Sequence, residues 1–149
     1  MTIAIIGAGA IGSVVAAYLV KAGEDAVLIG REDQVGVIQK NGLRVVGARG
    51  EETFPVRAFT RLDREYGLVI FTVKTQDIDE AYGANQAFLK KCLVLSSQNG
   101  VQADTILAKH FDMARLYSSI VMFGATYTKP GEAVFNFEGD WIIGKPFAP

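Results

Sequence analysis

Short apolar runs alternate along the chain with longer segments whose apolar residues recur every three or four positions. The runs are Thr2–Ile6, Ala26–Ile29, Leu68–Val73, Leu93–Ser96 and Leu116–Ile120. All but the last of these runs, which contains two serines, are apolar over almost their whole length, which is typical of strands buried on both faces of a parallel sheet. The longer segments predict helices at Ala10–Ala22, 32–41, 77–90 and Val101–Phe111. Strands that alternate with helices in this way predict an α/β fold.

The first predicted helix has a regular apolar pattern. Its apolar residues fall at spacings of three and four, which places them on one face of a helix. They are Ile11, Val14, Val15, Tyr18 and Leu19. Gly23 follows and is expected to end this helix. The sequence therefore predicts that one face of the helix packs against the sheet.

Two other parts of the chain predict antiparallel strands. Leu43–Val46 and Thr53–Ala58 are extended runs joined by a polar turn, and we interpret them as a small hairpin. Near the C-terminus, short runs separated by turn sequences are expected to close the edge of the sheet. These runs are Ala125–Thr128, Ala133–Asn136 and Trp141–Ile143.

A glycine motif at the start of the chain indicates what the sheet binds. Gly7-Ala8-Gly9-Ala10-Ile11-Gly12 follows the first strand and opens the first helix, which is the order that a dinucleotide pyrophosphate requires. In this interpretation Gly7 allows a tight turn, Gly9 lets backbone N–H groups approach the phosphates, and Gly12 lets the helix pack close to the strand. The positive end of the helix dipole then faces the negative charge.

The element order and the glycine motif together predict the fold class. We expect an α/β protein with a Rossmann-type, doubly wound, mostly parallel sheet, helices on both faces and C-terminal antiparallel edge strands. Residues 1–145 are expected to form this domain, and residues 146–149 the start of a linker.

The residues after the second strand indicate which dinucleotide is preferred. Proteins of this fold that bind NAD carry an acid about 20 residues past the glycines, and it binds the ribose 2′-hydroxyl. Here Gly30 and Arg31 follow the strand instead. A guanidinium suits a 2′-phosphate through charge-assisted hydrogen bonds, so the sequence favours NADP(H). In the alternative, Arg31 only caps the strand, and Glu32 or Asp33 holds the ribose of NAD.

Two more strands are expected to end at the same edge of the sheet, where ligands of such sheets bind. Leu68–Val73 delivers Lys74, a second positive charge, and Leu93–Ser96 delivers Asn99, whose amide can donate and accept hydrogen bonds. Both residues are candidate cofactor contacts. The alternatives are a solvated lysine after a strand and an ordinary Asn-Gly turn at a helix start.

Charge and composition narrow the functional classes. The net charge of −1 gives no bulk attraction to nucleic acid or acidic membranes, so neither is expected as a partner. The single cysteine, Cys92, fits a reducing, cytoplasmic compartment, and we interpret it as a small buried apolar residue. With His110 as the one histidine, no metal site is expected. The apolar N-terminal segment lacks the positive region of a signal peptide.

Four motifs in order make the chain resemble the N-terminal domain of the ketopantoate reductase family (2-dehydropantoate 2-reductases). They are Ile6–Gly12, Gly30-Arg31, Val73-Lys74-Thr75 with Gln76, and Gln98-Asn99-Gly100. Gly124, the Pro130-Gly131 turn and the closing strand from Trp141 to Gly144 also resemble that family. The resemblance implies an NADPH-dependent reduction of 2-dehydropantoate, a 2-oxoacid, to pantoate in pantothenate and coenzyme A synthesis.

The resemblance also implies roles for individual residues. It assigns the 2′-phosphate to Arg31 with help from Lys74, and it places Asn99 beside the nicotinamide ribose and the substrate. The pyrophosphate contacts that it implies are Gly7, Ala8, Gly9, Ala10, Ile11 and Gly12. The hydride chemistry belongs to the cofactor, which the protein positions.

Members of this family carry a second, helical domain that contributes the lysine acting as general acid and polar groups that grip the substrate. This sequence stops at Pro149, so it is expected to be an expressed fragment or a truncated natural product. Catalytic residues are therefore expected in the missing domain, and the chain is expected to bind cofactor without appreciable turnover. The face that would meet that domain is expected to be apolar enough to make the chain dimerise artificially, so a homodimer is expected.

Two other functions stay open on the sequence. A nucleotide-sensing regulatory module, such as a potassium-channel regulatory domain, opens with the same strand and glycine motif. Such a module is expected to carry an acid where Gly30 and Arg31 stand. The cofactor domain of an opine-type or hydroxyacid-type dehydrogenase is not excluded, because fold alone does not fix function.

Overall fold

The computed structural model describes residues 1–146, so most of the predicted linker at 146–149 lies outside the described residues. The strands of the main sheet are β1 Thr2–Ile6, β2 Asp25–Ile29, β5 Arg57–Phe59, β6 Leu68–Phe71, β7 Leu93–Ser96, β8 Leu116–Val121 and β11 Trp141–Gly144. Their order across the sheet is β11-β8-β7-β6-β1-β2-β5. All neighbours are parallel except β11, which runs antiparallel to β8. The predicted α/β class with a mostly parallel sheet and an antiparallel C-terminal edge strand is confirmed.

A second, four-stranded sheet packs beside the first within the described residues. Its strands are β3 Leu43–Gly47, β4 Glu52–Phe54, β9 Gly124–Lys129 and β10 Glu132–Phe137. They lie in the order β4-β3-β10-β9. The predicted hairpin is present as β3 and β4, but the prediction that the later strands close the main sheet was wrong for β9 and β10. β10 pairs with both β9 and β3. This pairing buries Ala133 and Phe135 of β10 in the hydrophobic core that contains the first helix.

The run predicted as one strand at Thr53–Ala58 divides between the two sheets. β4 ends at Phe54 and β5 begins at Arg57, with Pro55 between them. Proline has no N–H to donate to a strand partner, so it interrupts the ladder at this point. The Val56 N–H donates to the Phe54 carbonyl oxygen at 2.9 Å, which turns the chain towards β2.

The described α-helices are α1 Ala10–Lys21, α2 Glu32–Asn41, α3 Ile78–Asn85 and α4 Val101–Leu107. The last two are shorter than the predicted helices 77–90 and Val101–Phe111. Around α3 the chain tightens into single 3₁₀ turns at Thr75–Asp77 and Gln86–Phe88. At the end of α4 the Leu107 carbonyl accepts the N–H groups of both His110 and Phe111, which closes the helix with a turn.

The first helix, α1, lies between the two sheets. Six consecutive residues, Gly12 to Ala17, are buried, whereas Ile11, Tyr18 and Leu19 are only partly buried. The one-face prediction for α1 was therefore incomplete. It missed the second contact surface because the four-stranded sheet covers the side of α1 that faces away from β1 and β2.

Each face of the main sheet has its own hydrophobic core in the described part of the chain. Alternate residues of β1 point to opposite faces, so Ile3 and Ile5 pack with α1, α2 and the second sheet, while Ala4 and Ile6 pack with α3 and α4. Helices on both faces agree with the prediction.

Cys92 is 2 % exposed, and burial raises the pKa of its thiol, as expected for a small buried apolar residue. No helix among residues 1–146 is long and apolar enough to cross a membrane.

Candidate nucleotide-binding site

The carboxyl ends of β1, β2, β6 and β7 lie in register at one edge of the main sheet. Ile6 pairs with Ile29 on one side and with Phe71 on the other, and Phe71 pairs with Ser96. The chain segments that leave this edge are 7–9, 30–31, 72–74 and 97–100. These segments contain every predicted contact residue outside the first turn of α1, so the fold brings the four sequence motifs to one edge.

Two glycines of the motif are required by the protein's own packing. Gly7 has a φ of +127°, and a Cβ there would lie 2.7 Å from Thr72 Oγ1. A Cβ on Gly12 would overlap the Gly7 carbonyl oxygen. Any side chain at either position would push α1 away from β1 and β6, so both glycines hold the start of the helix close to the sheet.

Gly9 has a different environment. Its φ of −82° is open to any residue, and an added Cβ would have no heavy atom within 4 Å. As the residue before α1, it has no side chain to cap the helix, and the first turn contains no acidic residue. The N–H groups of that turn therefore have no capping side chain, and the space beside Gly9 is open, which fits the pyrophosphate of a dinucleotide.

Thr72 holds the glycine motif in place, although it is not among the site residues predicted from the sequence. Its hydroxyl lies 3.1 Å from the Ile6 carbonyl oxygen and 2.8 Å from that of Gly7, so its proton is shared between the two acceptors. The signal in the sequence was a hydroxyl residue at the end of the strand next to β1. This residue could be recognised as a contact of the glycine motif only once the pairing of β6 with β1 was known.

Gln34 is a second residue of this edge that is not among those predicted from the sequence. It is 3 % exposed, its Nε2 donates to the Ala8 carbonyl oxygen at 3.1 Å, and its Oε1 accepts the Arg31 N–H at 2.9 Å. The second contact is half of a capping box, which a glutamine three residues after the helix N-cap predicts. The contact to Ala8 joins two loops that are distant in sequence.

Arg31 lies at this edge with its side chain turned to solvent. The residue is the N-cap of α2, and its side chain is 70 % exposed. Its Nε lies 3.5 Å from Asp33 Oδ1, an exposed ion pair that contributes little stability. The guanidinium can therefore exchange this partner for a phosphate at small cost. Glu32 and Asp33, the alternative ribose contacts, are also exposed.

Lys74 and Asn99 reach solvent on neighbouring loops of the same edge. Asn99 Oδ1 accepts the Val121 N–H at 3.2 Å, which ties its loop to β8. The two loops are joined by Gln98, whose Nε2 donates to the Val73 carbonyl at 2.6 Å while its Oε1 accepts the Ser96 hydroxyl at 2.8 Å. Gln98 therefore positions the segments that carry Lys74 and Asn99.

The edge is an open surface of the chain. Two cavities among the described residues lie elsewhere, one of about 460 Å³ between α2 and β4 and one of about 300 Å³ between α1 and the second sheet.

Within residues 1–146 no group of three His, Cys, Asp or Glu side chains is placed to hold a metal ion. His110 instead stacks on Tyr82 and contacts Asp79 at 2.8 Å. The chemistry available at the edge is that of backbone N–H groups, two cations and amides.

Comparisons with known proteins identify what this arrangement is similar to. The sequence profile described as Ketopantoate reductase PanE/ApbA matches residues 3–146. A 2-dehydropantoate 2-reductase of Pyrococcus abyssi is 35 % identical over 145 residues, 97 % of this chain and 47 % of the relative. The crystal structure of a PanE/ApbA family ketopantoate reductase from Ralstonia eutropha superposes with a TM-score of 0.88 at 32 % identity, over 96 % of this chain and 49 % of that one.

A different enzyme has a similar fold. The ternary structure of D-mandelate dehydrogenase with NADH and anilino(oxo)acetate superposes with a TM-score of 0.85 at 26 % identity, over 95 % of this chain and 46 % of that one. In all of these matches the chain spans about half the length of the relative.

Proposed function

This chain belongs to the ketopantoate reductase family, and we propose that it is the NADP(H)-binding domain of a 2-dehydropantoate 2-reductase. The proposed reaction is the NADPH-dependent reduction of 2-dehydropantoate to pantoate, a step of pantothenate and coenzyme A synthesis. NADPH, when bound, supplies the hydride for the 2-oxo group of the substrate. The observation that carries the proposal is the combination, at one sheet edge, of an uncapped glycine turn and an exposed arginine where NAD-binding proteins of this fold have an acid.

We assign the pyrophosphate to the N–H groups of the glycine turn, Gly7 to Gly12. The open space at Gly9 supports this assignment, because it lets a phosphate approach the backbone closely. The 2′-phosphate is assigned to Arg31 with help from Lys74, since both cations are exposed at the same edge. Asn99 is assigned to the nicotinamide ribose and the substrate.

We propose that cofactor binding and substrate binding belong to two different domains, on the basis of the family and of the length of its members. Residues 1–145 bind the cofactor, and a second, helical domain of the reductase supplies the general-acid lysine and the groups that grip the 2-oxoacid. The matched relatives are about twice as long as this chain, which supports the division. The chain alone then binds cofactor without appreciable turnover. We further propose that it acts in the cytoplasm, without nucleic-acid partners, and forms a homodimer through exposed apolar side chains of β8 and β11, such as Ile120 and Ile142.

A second candidate is the cofactor domain of a hydroxyacid dehydrogenase. The similarity to D-mandelate dehydrogenase with bound NADH favours it. In that case Glu32 or Asp33, in the first turn of α2, holds the ribose of NAD while Arg31 serves as the N-cap. A regulatory module has less support, because the family to which the chain belongs consists of reductases.

Titration calorimetry with NADPH and NADH tests the assignment of Arg31. We expect NADPH to bind at least tenfold tighter than NADH, about 1.4 kcal/mol, and Arg31→Ala to abolish the difference, because the guanidinium contacts only the 2′-phosphate. Arg57→Ala is the matched control, since Arg57 is an exposed arginine that pairs with Asp25 at the start of β2, away from this edge.

Other outcomes separate the candidates. Tighter binding of NADH would favour the hydroxyacid dehydrogenase and contradict the role of Arg31. Binding of neither nucleotide would contradict cofactor binding by this chain on its own.

A further inference from the structure

The side chain of Gln34 spans two loops that the proposed function uses for different parts of one nucleotide. One end of its amide meets the glycine turn at Ala8 and the other end meets the backbone of Arg31. A backbone carbonyl needs a donor and a backbone N–H needs an acceptor, so only one orientation of the amide satisfies both partners. Because Gln34 is 3 % exposed, water has almost no access to replace either bond.

The contact with Ala8 orients the peptide group that follows it. The Ala8 C=O and the Gly9 N–H belong to one planar trans peptide and point in opposite directions. The Ala8 carbonyl is held by Gln34 Nε2 at 3.1 Å and by the Ser13 hydroxyl at 3.4 Å, so the Gly9 N–H is directed away from both donors. Gln34 thereby helps to aim a backbone donor at the position proposed for the pyrophosphate.

The contact with Arg31 holds the main chain from which the guanidinium projects. The Arg31 N–H donates to Gln34 Oε1 at 2.9 Å, and the Arg31 carbonyl accepts the Val35 N–H at 2.9 Å. Both main-chain polar groups of Arg31 are therefore held, and the guanidinium moves only through its own side-chain torsions. Gly30 completes the packing, since a Cβ there would lie 2.6 Å from Ala8 Cβ and 2.8 Å from Gln34 Oε1.

We propose that Gln34 is a positioning residue that fixes the glycine turn and Arg31 relative to each other, and that this spacing sets the preference for a 2′-phosphorylated dinucleotide. The inference rests on the proposed function, because it concerns the same nucleotide. It adds that the pyrophosphate contacts and the 2′-phosphate contact form one coupled unit. Arg31 alone, in a main chain free to shift, would attract the phosphate without being aligned to it.

The test compares Gln34→Met with the wild-type chain by calorimetric titration of NADPH and NADH. Methionine has a similar length but neither donates nor accepts as the amide does. The Arg31 N–H then loses its side-chain acceptor, and the Ala8 carbonyl keeps only the longer contact with the Ser13 hydroxyl at 3.4 Å. We expect the Kd for NADPH to rise about tenfold and the preference over NADH to fall by about threefold or more. In an Arg31→Ala background the same change should no longer alter the preference, because coupled contacts are not additive.

Gln39→Met is the matched control. Gln39 lies on the same helix, and its Nε2 likewise donates to a main-chain oxygen, that of Ala58 at 2.9 Å, but it contacts neither loop. We expect this variant to bind both nucleotides as the wild type does. If Gln34→Met behaves like Gln39→Met while Arg31→Ala still abolishes the preference, the positioning role is wrong and the proposed function stands. If the wild type shows no preference that depends on Arg31, the proposed function and the inference both fail.

Gln34→Glu covers the case in which the methionine variant does not fold. Glutamate keeps an acceptor for the Arg31 N–H and so preserves the start of α2, but its carboxylate cannot donate to the Ala8 carbonyl. We expect weaker binding of both nucleotides, with the larger loss for NADPH because the new charge lies beside Arg31. Wild-type affinities for both nucleotides in this variant would overturn the inference.

Discussion

At the scale of single residues, the candidate site depends on side chains that contact backbone rather than ligand. Thr72, Gln34 and Gln98 each bond to main-chain oxygens or N–H groups of the loops at the sheet edge. Arg31 and Lys74 are the residues proposed to contact the nucleotide. Their side chains are exposed and do not hold the backbone of these loops in place. This difference predicts that substitutions of Arg31 or Lys74 change nucleotide affinity with little effect on stability, whereas substitutions of Thr72, Gln34 or Gln98 change both.

Thr72→Val tests whether the Thr72 hydroxyl stabilises the fold. Valine keeps the shape of threonine but loses the hydroxyl that is shared between the Ile6 and Gly7 carbonyls. We expect the free energy of unfolding to fall by about 1–2 kcal/mol, measured by urea denaturation, together with weaker NADPH binding as the glycine turn loosens. Thr105→Val is the control, because the exposed Thr105 hydroxyl bonds only within α4, to the Val101 carbonyl. An equal loss in both variants would contradict a special role for Thr72.

At the scale of elements, the unusual feature is the second sheet and what ties it together. β3 and β10 pair in parallel, with Arg44 beside Glu132, and the Arg44 Nη1 lies 2.6 Å from Glu132 Oε2. The hydrogen bond from Arg44 lowers the pKa of the Glu132 carboxyl below its usual range. Glu51 and Glu132 in turn raise the pKa of Arg44, so the arginine stays charged. This ion pair connects two segments that are 88 positions apart in the chain.

The pair predicts a pH dependence of stability. Because the pKa of Glu132 is lower in the folded state, its contribution is complete at neutral pH and is lost as the pH falls below the ordinary glutamate value of about 4.3, through the depressed folded value. We expect Glu132→Gln to reduce the stability at pH 7 and to flatten its decline in acid, measured by urea denaturation between neutral and acidic pH. Glu24→Gln, at an exposed position, is the control. Parallel pH profiles for wild type and Glu132→Gln would contradict this role.

At the scale of the whole molecule, the end of the main sheet formed by β8 and β11 is covered incompletely. Ile120 on β8 and Ile142 on β11 pair directly across the two strands and are 58 % and 52 % exposed. Met122 and Phe137 are also exposed. Adjacent exposed apolar side chains of this size mark interaction surfaces, and within residues 1–146 β11 is an edge strand of the main sheet.

This face predicts self-association of the chain. We expect light scattering to show a mass that rises with concentration, and Ile142→Lys to return the chain to a monomer, because a charge opposite Ile120 would have to be desolvated on contact. Ile143→Lys is the control, since Ile143 is equally exposed but points to the other face of β11. A wild-type chain that stays monomeric at high concentration would contradict the proposed homodimer.

The sequence alone predicted those features of the fold that depend on near neighbours. The strands β1, β2, β7 and β8 and the helices α1 and α2 have their predicted positions to within a residue. The motif glycines also occupy the turns expected of them. Apolar runs, helical spacing and glycine sterics act over a few residues, so they can be recognised without a partner. The same holds for the family resemblance, which is confirmed and which depends on four short motifs in order.

Only the tertiary structure decided which distant segments meet. It paired β9 and β10 with β3 in a second sheet, divided the run around Pro55 between two sheets, and buried α1 on two sides. It also revealed Thr72 and Gln34, whose side chains act on loops 65 and 26 positions away. Strand pairing and these long-range hydrogen bonds depend on all segments of the chain, because each segment can bury its apolar side chains and satisfy its polar groups against several others. A single segment's pattern does not contain that outcome, because one alternating strand fits many neighbours equally well.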